Sequence, residues 1–181
     1  MAFHFYSGKE IFMKKILVVS DTHRNRTILK EVLEKNIKDI DILIHLGDDY
    51  EDIDFFKLLL VGKEIYQVPG IYHPRYRNGA LPAVKTLKIE GWNIALVHNL
   101  EDLFRKKILG DINFYGHTHK AEIFARDEKI YVNPGHLKDD FDRGFAASYA
   151  IMEITPKSVD IKIITLSGKI IKEKIKEKTE E

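Results

Sequence analysis

The sequence contains no cysteine, which excludes both a disulfide framework and a thiolate metal site. The absence of cysteine fits a reducing compartment, and we expect a cytoplasmic protein. No apolar run reaches the roughly 18 residues that a transmembrane helix needs. The first residues also lack the basic start and long apolar stretch of a signal peptide. We therefore expect no membrane partner.

The sequence also lacks an excess of charge of either sign, since its formal net charge is +1. A protein that wraps extended nucleic acid normally carries a strong positive footprint, and we expect no such partner here. A nucleotide or a strand end stays open as a substrate because its binding is local. Oligomer formation also stays open.

The composition is that of a globular protein, with 44% apolar and 31% charged residues in a chain of 181. This length fits one domain with a substantial core. We assign the domain to residues 13–168, because Met13 directly precedes the first apolar run. Residues 1–12 are predicted to be a disordered N-terminal extension, and residues 169–181 a solvated, charged C-terminal tail.

The order of apolar segments predicts an α/β fold. Three short β-branched runs read as buried strands, and periodic helical segments around Ile28–Ile37 and Asp52–Leu60 lie between them. Strand, helix, strand, helix, strand is typical of a parallel sheet. Residues 69–82 are predicted to be a loop, and the rest of the chain is mostly β. We expect two packed sheets with helices on their outer faces.

Ligand-type side chains follow five predicted strands. In an open α/β sheet, ligands bind at the carboxyl ends of the strands. Each motif alone has an ordinary explanation as turn chemistry, but together they place carboxylates and imidazoles at one edge. The segments are Asp21-Thr22-His23, Gly47-Asp48, Gly70-Ile71-Tyr72-His73, His98-Asn99 and Gly116-His117-Thr118-His119.

This mixture of carboxylates and imidazoles suits Mn, Fe, Ni, Co or Zn better than a calcium or magnesium cage. One carboxylate between two ions permits a bridging water. Two ions about 3.5–4 Å apart can clamp the attacking and leaving oxygens of a displacement at phosphorus. The residues therefore favour metal-assisted hydrolysis of a phosphate ester.

The order D-x-H, G-D, H and G-H-T-H resembles the calcineurin-like metallophosphoesterases, in particular their small single-domain bacterial and archaeal phosphodiesterases. Val132-Asn133-Pro134-Gly135 looks like the N-P-G-S segment of those small members. The resemblance spans about residues 14–155. It implies a four-layer αββα sandwich of two mixed β-sheets flanked by helices.

The resemblance also implies two divalent metal ions. By matching position, Asp21, His23 and His119 hold the first ion, and His98 and His117 hold the second. Asp48 bridges the pair and counts as catalytic because the attacking hydroxide lies between the ions.

The chain departs from the family motif after its third strand. The family's G-N-x-D is Gly70-Ile71-Tyr72-His73 here, so Ile71 replaces an Asn that helps to bind the second ion. Tyr72 stands where larger relatives keep a protonating His. Past His98, the family's H-G-H becomes His98-Asn99-Leu100. The first site is complete in sequence, and the second is damaged.

Further candidates lie outside the predicted set of metal ligands. His73 is a candidate general acid or replacement ligand. Arg75 and Arg77 are candidates for binding a substrate phosphate, with a solvated loop as the alternative. His136, at the family's Ser position, is a weaker candidate ligand, and His45 reads as a core residue.

The sequence thus predicts a metal-dependent phosphodiesterase acting on small or activated phosphodiesters or nucleotides through a metal-bridging hydroxide. The alternative is a weakly metal-binding or non-catalytic scaffold in protein–protein interaction, resembling the retromer's phosphoesterase-like subunit. Ile71 and Leu100 keep that alternative open. A nuclease that processes strand ends is disfavoured by the neutral charge.

Overall fold

The computed structural model describes residues 5–6, 9–10 and 13–178. Its strands are β1 (Phe5–Tyr6), β2 (Lys9–Glu10), β3 (Lys14–Val19), β4 (Ile42–His45), β5 (Glu64–Gln67), β6 (Val84–Ile89), β7 (Trp92–Val97), β8 (Ile112–Phe114), β9 (Glu122–Arg126), β10 (Lys129–Asn133), β11 (Phe141–Asp142), β12 (Phe145–Ala146), β13 (Ser148–Ile154), β14 (Ser158–Thr165) and β15 (Ile170–Glu177). Its helices are α1 (Arg26–Asn36), a 3-10 helix (Tyr50–Phe56), α2 (Pro74–Arg77) and α3 (Leu100–Lys106). Across these residues, no helix has the length and apolarity to cross a membrane.

Two large mixed sheets form the body of the protein. The six-stranded sheet has the order β15-β14-β13-β3-β4-β5, in which β3, β4 and β5 are parallel and the other pairings are antiparallel. The five-stranded sheet has the order β6-β7-β8-β10-β9, with a parallel centre of β7, β8 and β10. The parallel strands of both sheets carry the site motifs at their carboxyl ends.

The alternation of side chains along β3 shows how the layers form. Ile16 and Val18 face the second sheet and join the core between the sheets, which also contains Trp92 and Phe114. The intervening residues, Leu17 among them, face the opposite side, where α1 covers the sheet. A strand buried on both faces needs this continuous apolar run.

Helices close the two outer faces. α1 packs Leu29, Val32 and Leu33 against the six-stranded sheet, and the side chain of Asn25 caps its start by accepting from the Ile28 amide. On the other side, α3 packs Leu103 against the five-stranded sheet. The predicted αββα sandwich is confirmed.

Three segments differ from the sequence prediction. The loop predicted at 69–82 contains the short helix α2, which Pro74 begins. A small hairpin, β11 with β12, was not predicted. The predicted C-terminal tail is corrected in part, because Ile170–Glu177 pairs along β14 as an edge strand. Six of its eight residues are exposed, and such a charged, exposed segment resembles a solvated tail in sequence although its backbone is paired.

The predicted N-terminal extension lies mostly outside the described residues. Of residues 1–12, the structure describes only β1 and β2, which pair antiparallel with each other. The predicted disorder of the other residues stays a prediction.

Two isoleucines of the edge strand β15 allow a test of whether this strand packs against the core. Ile171 packs against the core between the sheets, whereas Ile175 is 57% exposed on the same strand. We expect Ile171→Ala to lower the free energy of unfolding by about 1–2 kcal/mol, which is less than the cost of about 2–5 kcal/mol at a fully buried isoleucine because the burial of Ile171 is partial. Ile175→Ala, the control, should change it by less than about 0.5 kcal/mol. Equal urea midpoints for the two variants would show that β15 does not dock.

Candidate metal centre

Side chains from both sheets meet where the parallel strands end. Asp21 and His23 follow β3, Asp48 follows β4, and the other members follow β7 and β8 of the second sheet. The neighbouring ends of the two sheets thereby bring distant parts of the sequence together. The converging set is Asp21, His23, Asp48, His98, His117 and His119.

The first compact group joins Asp21, His23 and His119. Asp21 Oδ1 lies 3.3 Å from His119 Nε2 and 4.0 Å from His23 Nε2. The two Nε2 atoms are 3.1 Å apart. One carboxylate oxygen and two imidazole nitrogens directed at one point form a donor set suited to a divalent ion.

The second compact group joins Asp21, Asp48 and His98. Asp48 Oδ1 lies 3.4 Å from His98 Nε2, and its other oxygen lies 3.7 Å from His23 Nε2. The carboxylate of Asp48 therefore presents one oxygen to each group. The bridging role of Asp48 stays a prediction, and Asp21 belongs to both groups.

His117 lies beside these groups without joining either. Its ring centroid is 5.2 Å from that of His98. Its backbone amide donates to Asp21 Oδ2 at 3.0 Å, so the residue also fixes the buried carboxylate. The predicted role of His117 as a ligand stays a prediction.

Two buried atoms in the cluster lack hydrogen-bond partners, namely Asp21 Oδ1 and His98 Nε2. His98 Nδ1 lies 2.7 Å from the Leu46 carbonyl, to which it donates, so the lone pair of His98 resides on Nε2. Buried polar groups without partners are rare because they lose their hydration without compensation. Both atoms face the ligand groups, and a divalent cation would satisfy them. The residues fit a metal site.

A carboxylate outside the ligand set orients His119. Asp142 Oδ2 lies 2.6 Å from His119 Nδ1, which leaves Nε2 to face Asp21 and His23. A carboxylate behind a histidine ligand fixes its tautomer and raises its basicity. His136 supports the same ring from the side, with centroids 5.3 Å apart.

The backbone is left-handed at five of the six converging residues. The φ angles are 52° at Asp21, 46° at His23, 52° at Asp48, 70° at His117 and 64° at His119. This region is unfavourable for residues with a β-carbon, and such strain concentrates at functional sites. The surrounding fold therefore holds these residues where local preference alone would not.

Two glycines allow the close approach of loops around the carboxylates. A β-carbon at Gly70 would lie 1.9 Å from Asp48 Oδ1, and one at Gly116 would lie 2.0 Å from the Ser20 hydroxyl oxygen. Any larger residue at either position would displace the side chain that it touches.

Local interactions keep both central carboxylates ionised. Burial raises the pKa of Asp21, but the His119 contact, the charge of His98 and the Ser20 hydroxyl together hold it below its usual value. For Asp48, burial is likewise outweighed by the close contact and the charge of His98, and the pKa is lowered. Both side chains are thus in the form that binds cations.

The pKa values of the histidines shift in different directions because their surroundings differ. Burial lowers the pKa of His23 below its ordinary value despite the nearby carboxylates. Burial and the charge of His98 likewise lower the pKa of His117. For His98, burial lowers the pKa, but contact with Asp48 and the charge of Asp21 outweigh it and leave it raised. A cation at this group would bind the neutral form of the imidazole.

An open cleft of about 660 Å³ adjoins the cluster. His23 and Asp48 line it, with side chains 29% and 12% exposed. Asp21 and His119 lie behind them and are at most 1% exposed. A substrate can therefore reach the cluster from the His23 and Asp48 side.

Comparison with known proteins identifies the family of this chain. The model of the calcineurin-like phosphoesterase superfamily domain matches residues 13–157. The chain belongs to this superfamily. The resemblance inferred from the strand-end motifs is confirmed.

Solved structures share the fold of this calcineurin-like domain. A Thermotoga maritima protein studied by solution NMR is 30% identical, with a TM-score of 0.62, and the match covers 84% of this chain and 99% of that one. An archaeal phosphodiesterase is 21% identical, with a TM-score of 0.60, and the match covers 78% and 99%. Vps29 from Entamoeba histolytica, solved with zinc, is 22% identical, with a TM-score of 0.63, and the match covers 90% and 98%.

None of the further candidates belongs to either ligand group, although His73 lines the cleft with His23 and Asp48. His73 Nε2 is 2.6 Å from Glu51 Oε1, and its Nδ1 accepts from the Arg75 amide, so both ring nitrogens are engaged. Arg75 and Arg77 lie on the exposed helix α2, and neither lines the cleft. In the described chain, the arginines that line it are Arg24 and Arg26.

The other two histidines are buried and hydrogen-bonded. His136 Nε2 donates to the Phe145 carbonyl and its Nδ1 accepts from the Lys138 amide, so no lone pair points at the ligand groups. Burial lowers the pKa of His45 to about 4, and the ring lies within hydrogen-bond distance of Thr22 Oγ1. The interpretation of His45 as a core residue is confirmed.

Replacing Asp142 tests whether its carboxylate orients the His119 ring. We expect Asp142→Asn to weaken Mn²⁺ binding by about 10–100-fold, because the carboxylate behind His119 is lost while the side-chain size is kept. Asp140→Asn, an exposed neighbour, is the control and should leave the affinity unchanged. Calorimetric titration of metal-free protein measures both. Equal dissociation constants for the two variants would contradict the orienting role.

Proposed function

We propose that this protein is a metal-dependent phosphodiesterase that hydrolyses small or activated phosphodiesters. The observation that carries the proposal is the convergence of ionised carboxylates and imidazoles at one place. Two buried atoms of these side chains, Asp21 Oδ1 and His98 Nε2, have no hydrogen-bond partner. Membership of the phosphoesterase superfamily supports it.

Asp21, His23 and His119 would hold one divalent ion. Asp48 and His98 would hold a second, with His117 beside them and Asp48 shared. The mixed nitrogen and oxygen donors suit Mn, Ni, Fe, Co or Zn. When bound, such ions polarise a phosphoryl oxygen and lower the pKa of water.

The residues of the chain supply orientation and charge. Asp21 is buried and fixed by the Ser20 hydroxyl at 2.5 Å and by the His117 amide. Asp48, on the cleft side, presents its carboxylate toward both groups and toward an incoming phosphodiester. Groups fixed in advance need little reorganisation during reaction, which is how electrostatic catalysis lowers a barrier.

The cleft favours esters with good leaving groups. Tyr72, at the position of the protonating His of larger relatives, is exposed and offers no imidazole as a proton donor. His73 is held by Glu51. A leaving group must therefore depart largely as an anion, which activated esters do readily.

A non-catalytic scaffold is the second candidate, and Ile71 is the observation that favours it. An aliphatic side chain directly after Gly70 offers no ligand atom beside Asp48. The fold likeness to Vps29 is compatible with this candidate. Hydrolysis that depends on Asp48 separates the two functions.

We expect Asp48→Asn to lower kcat/KM for bis(4-nitrophenyl) phosphate by about 100-fold or more, because the amide keeps the size but removes the charge that both groups face. The assay uses Mn²⁺-loaded protein and follows nitrophenolate release. The thermal midpoint of the metal-free protein checks the fold.

Asp54→Asn is the control for this variant, since Asp54 is exposed and paired only with Lys57 in the described chain. It should hydrolyse the diester at the parent rate. Comparable rates for Asp48→Asn and the parent would rule out the assigned role of Asp48. A parent protein without activity would favour the scaffold.

A further inference from the structure

Two exposed aromatic rings line the cleft that contains His23 and Asp48. Phe55 is 63% exposed and Tyr72 is 66% exposed. Large exposed aromatic rings next to convergent polar groups are typical of a small-molecule site. The cleft volume of about 660 Å³ lies within the range of such sites.

Phe55 is held in place by a chain of charged contacts. The guanidinium carbon of Arg26 lies 3.5 Å from its ring centroid, and Arg26 Nε donates to Asp52 Oδ1 at 3.0 Å. Arg26 covers one face of the ring, and Phe55 remains 63% exposed beside that contact. A cation–π contact of this kind orients the ring before any ligand arrives.

The same contacts connect Phe55 to the segment Asp21-Thr22-His23, which carries two of the predicted metal ligands. Asp52 is only 3% exposed and also accepts from the Thr22 hydroxyl at 2.9 Å and from the Arg24 amide at 3.0 Å. Thr22 lies between two of the predicted metal ligands. The position of the ring is therefore linked to that of the reacting centre.

Tyr72 lies on a different segment of the cleft wall, in the loop after β5. It lies two residues after Gly70, whose backbone packs directly against Asp48. The guanidinium of Arg77 lies 5.3 Å from its ring centroid. Within the described residues, neither Phe55 nor Tyr72 stacks on another aromatic ring of the protein.

We propose that Phe55 and Tyr72 form a stacking site for a planar ring on the substrate, so that the preferred substrates are phosphodiesters of nucleosides or similar aromatic alcohols. The proposal rests on the proposed function and names its substrate class. Stacking tolerates many bases because each base offers a π face. The phosphate lies at the ligand groups and the ring on the cleft wall.

Binding isolates the contribution of the base. We measure by calorimetry how Mn²⁺-loaded protein binds adenosine 5′-monophosphate and ribose 5-phosphate, which carry the base and a hydroxyl group, respectively, at the anomeric carbon. The parent should bind the nucleotide about tenfold more tightly, the scale of one stacking contact. Phe55→Leu should abolish this preference, whereas Phe55→Trp should retain it. Tyr72→Leu should reduce it, and this variant carries the test if Phe55→Leu fails to fold.

Leu58→Ala is the matched control, because Leu58 is 93% exposed close to Phe55 but does not line the cleft. It should keep the full preference. A parent that binds both ligands equally, or a Phe55→Leu variant that keeps the preference, overturns the stacking site.

Hydrolysis separates this proposal from the proposed function. We compare kcat/KM for thymidine 5′-(4-nitrophenyl phosphate) and methyl 4-nitrophenyl phosphate, which share a leaving group. The ratio should favour the nucleoside ester about tenfold in the parent and fall toward one in Phe55→Leu. Hydrolysis without such a preference overturns the stacking site alone. A base preference in binding without hydrolysis of either ester supports the stacking site and contradicts the phosphodiesterase.

Discussion

The site depends on the burial of one ionised carboxylate, Asp21. Removing a carboxylate from water is expensive unless hydrogen bonds and opposite charge replace its hydration. Here the Ser20 hydroxyl and the His117 amide bind one oxygen, and the other faces imidazoles with no hydrogen bond of its own. The left-handed backbone around the cluster and the missing β-carbon at Gly116 follow from bringing these groups together. A bound cation would supply the remaining compensation.

The sequence predicted the sandwich and the converging residues because both follow from local pattern. Buried parallel strands are apolar on both faces, and their carboxyl ends share an edge. It missed Asp142 and Asp52, because each is one acidic residue among many and the contacts that link them to the site, with His119 and Thr22, span 23 or more residues. The strand β15 was hidden by its own composition, since an exposed edge strand rich in Lys and Glu resembles a tail.

The arginines show why loop residues are hard to place from sequence. Arg75 and Arg77 lie in the loop after the third strand, which made them candidates for phosphate binding. The structure places them on α2, outside the cleft lining, and places Arg26 against Phe55 inside it. The fold alone does not decide between hydrolase and scaffold, since function resides in the site. The charge around Asp21 and Asp48 favours the hydrolase, and Ile71 is the residue that counts against it.

The most direct measurement is metal content after equilibrium dialysis of the metal-free protein against micromolar Mn²⁺, for the parent and for Asp21→Asn. At least one Mn²⁺ should bind per parent chain, and the thermal midpoint should rise because the ion binds only the folded state. Asp21→Asn should lose that ion, since both ligand groups contain this carboxylate. A parent chain that retains no Mn²⁺ and shows no shift would contradict the central claim. Equal occupancy in the variant would contradict the role given to Asp21.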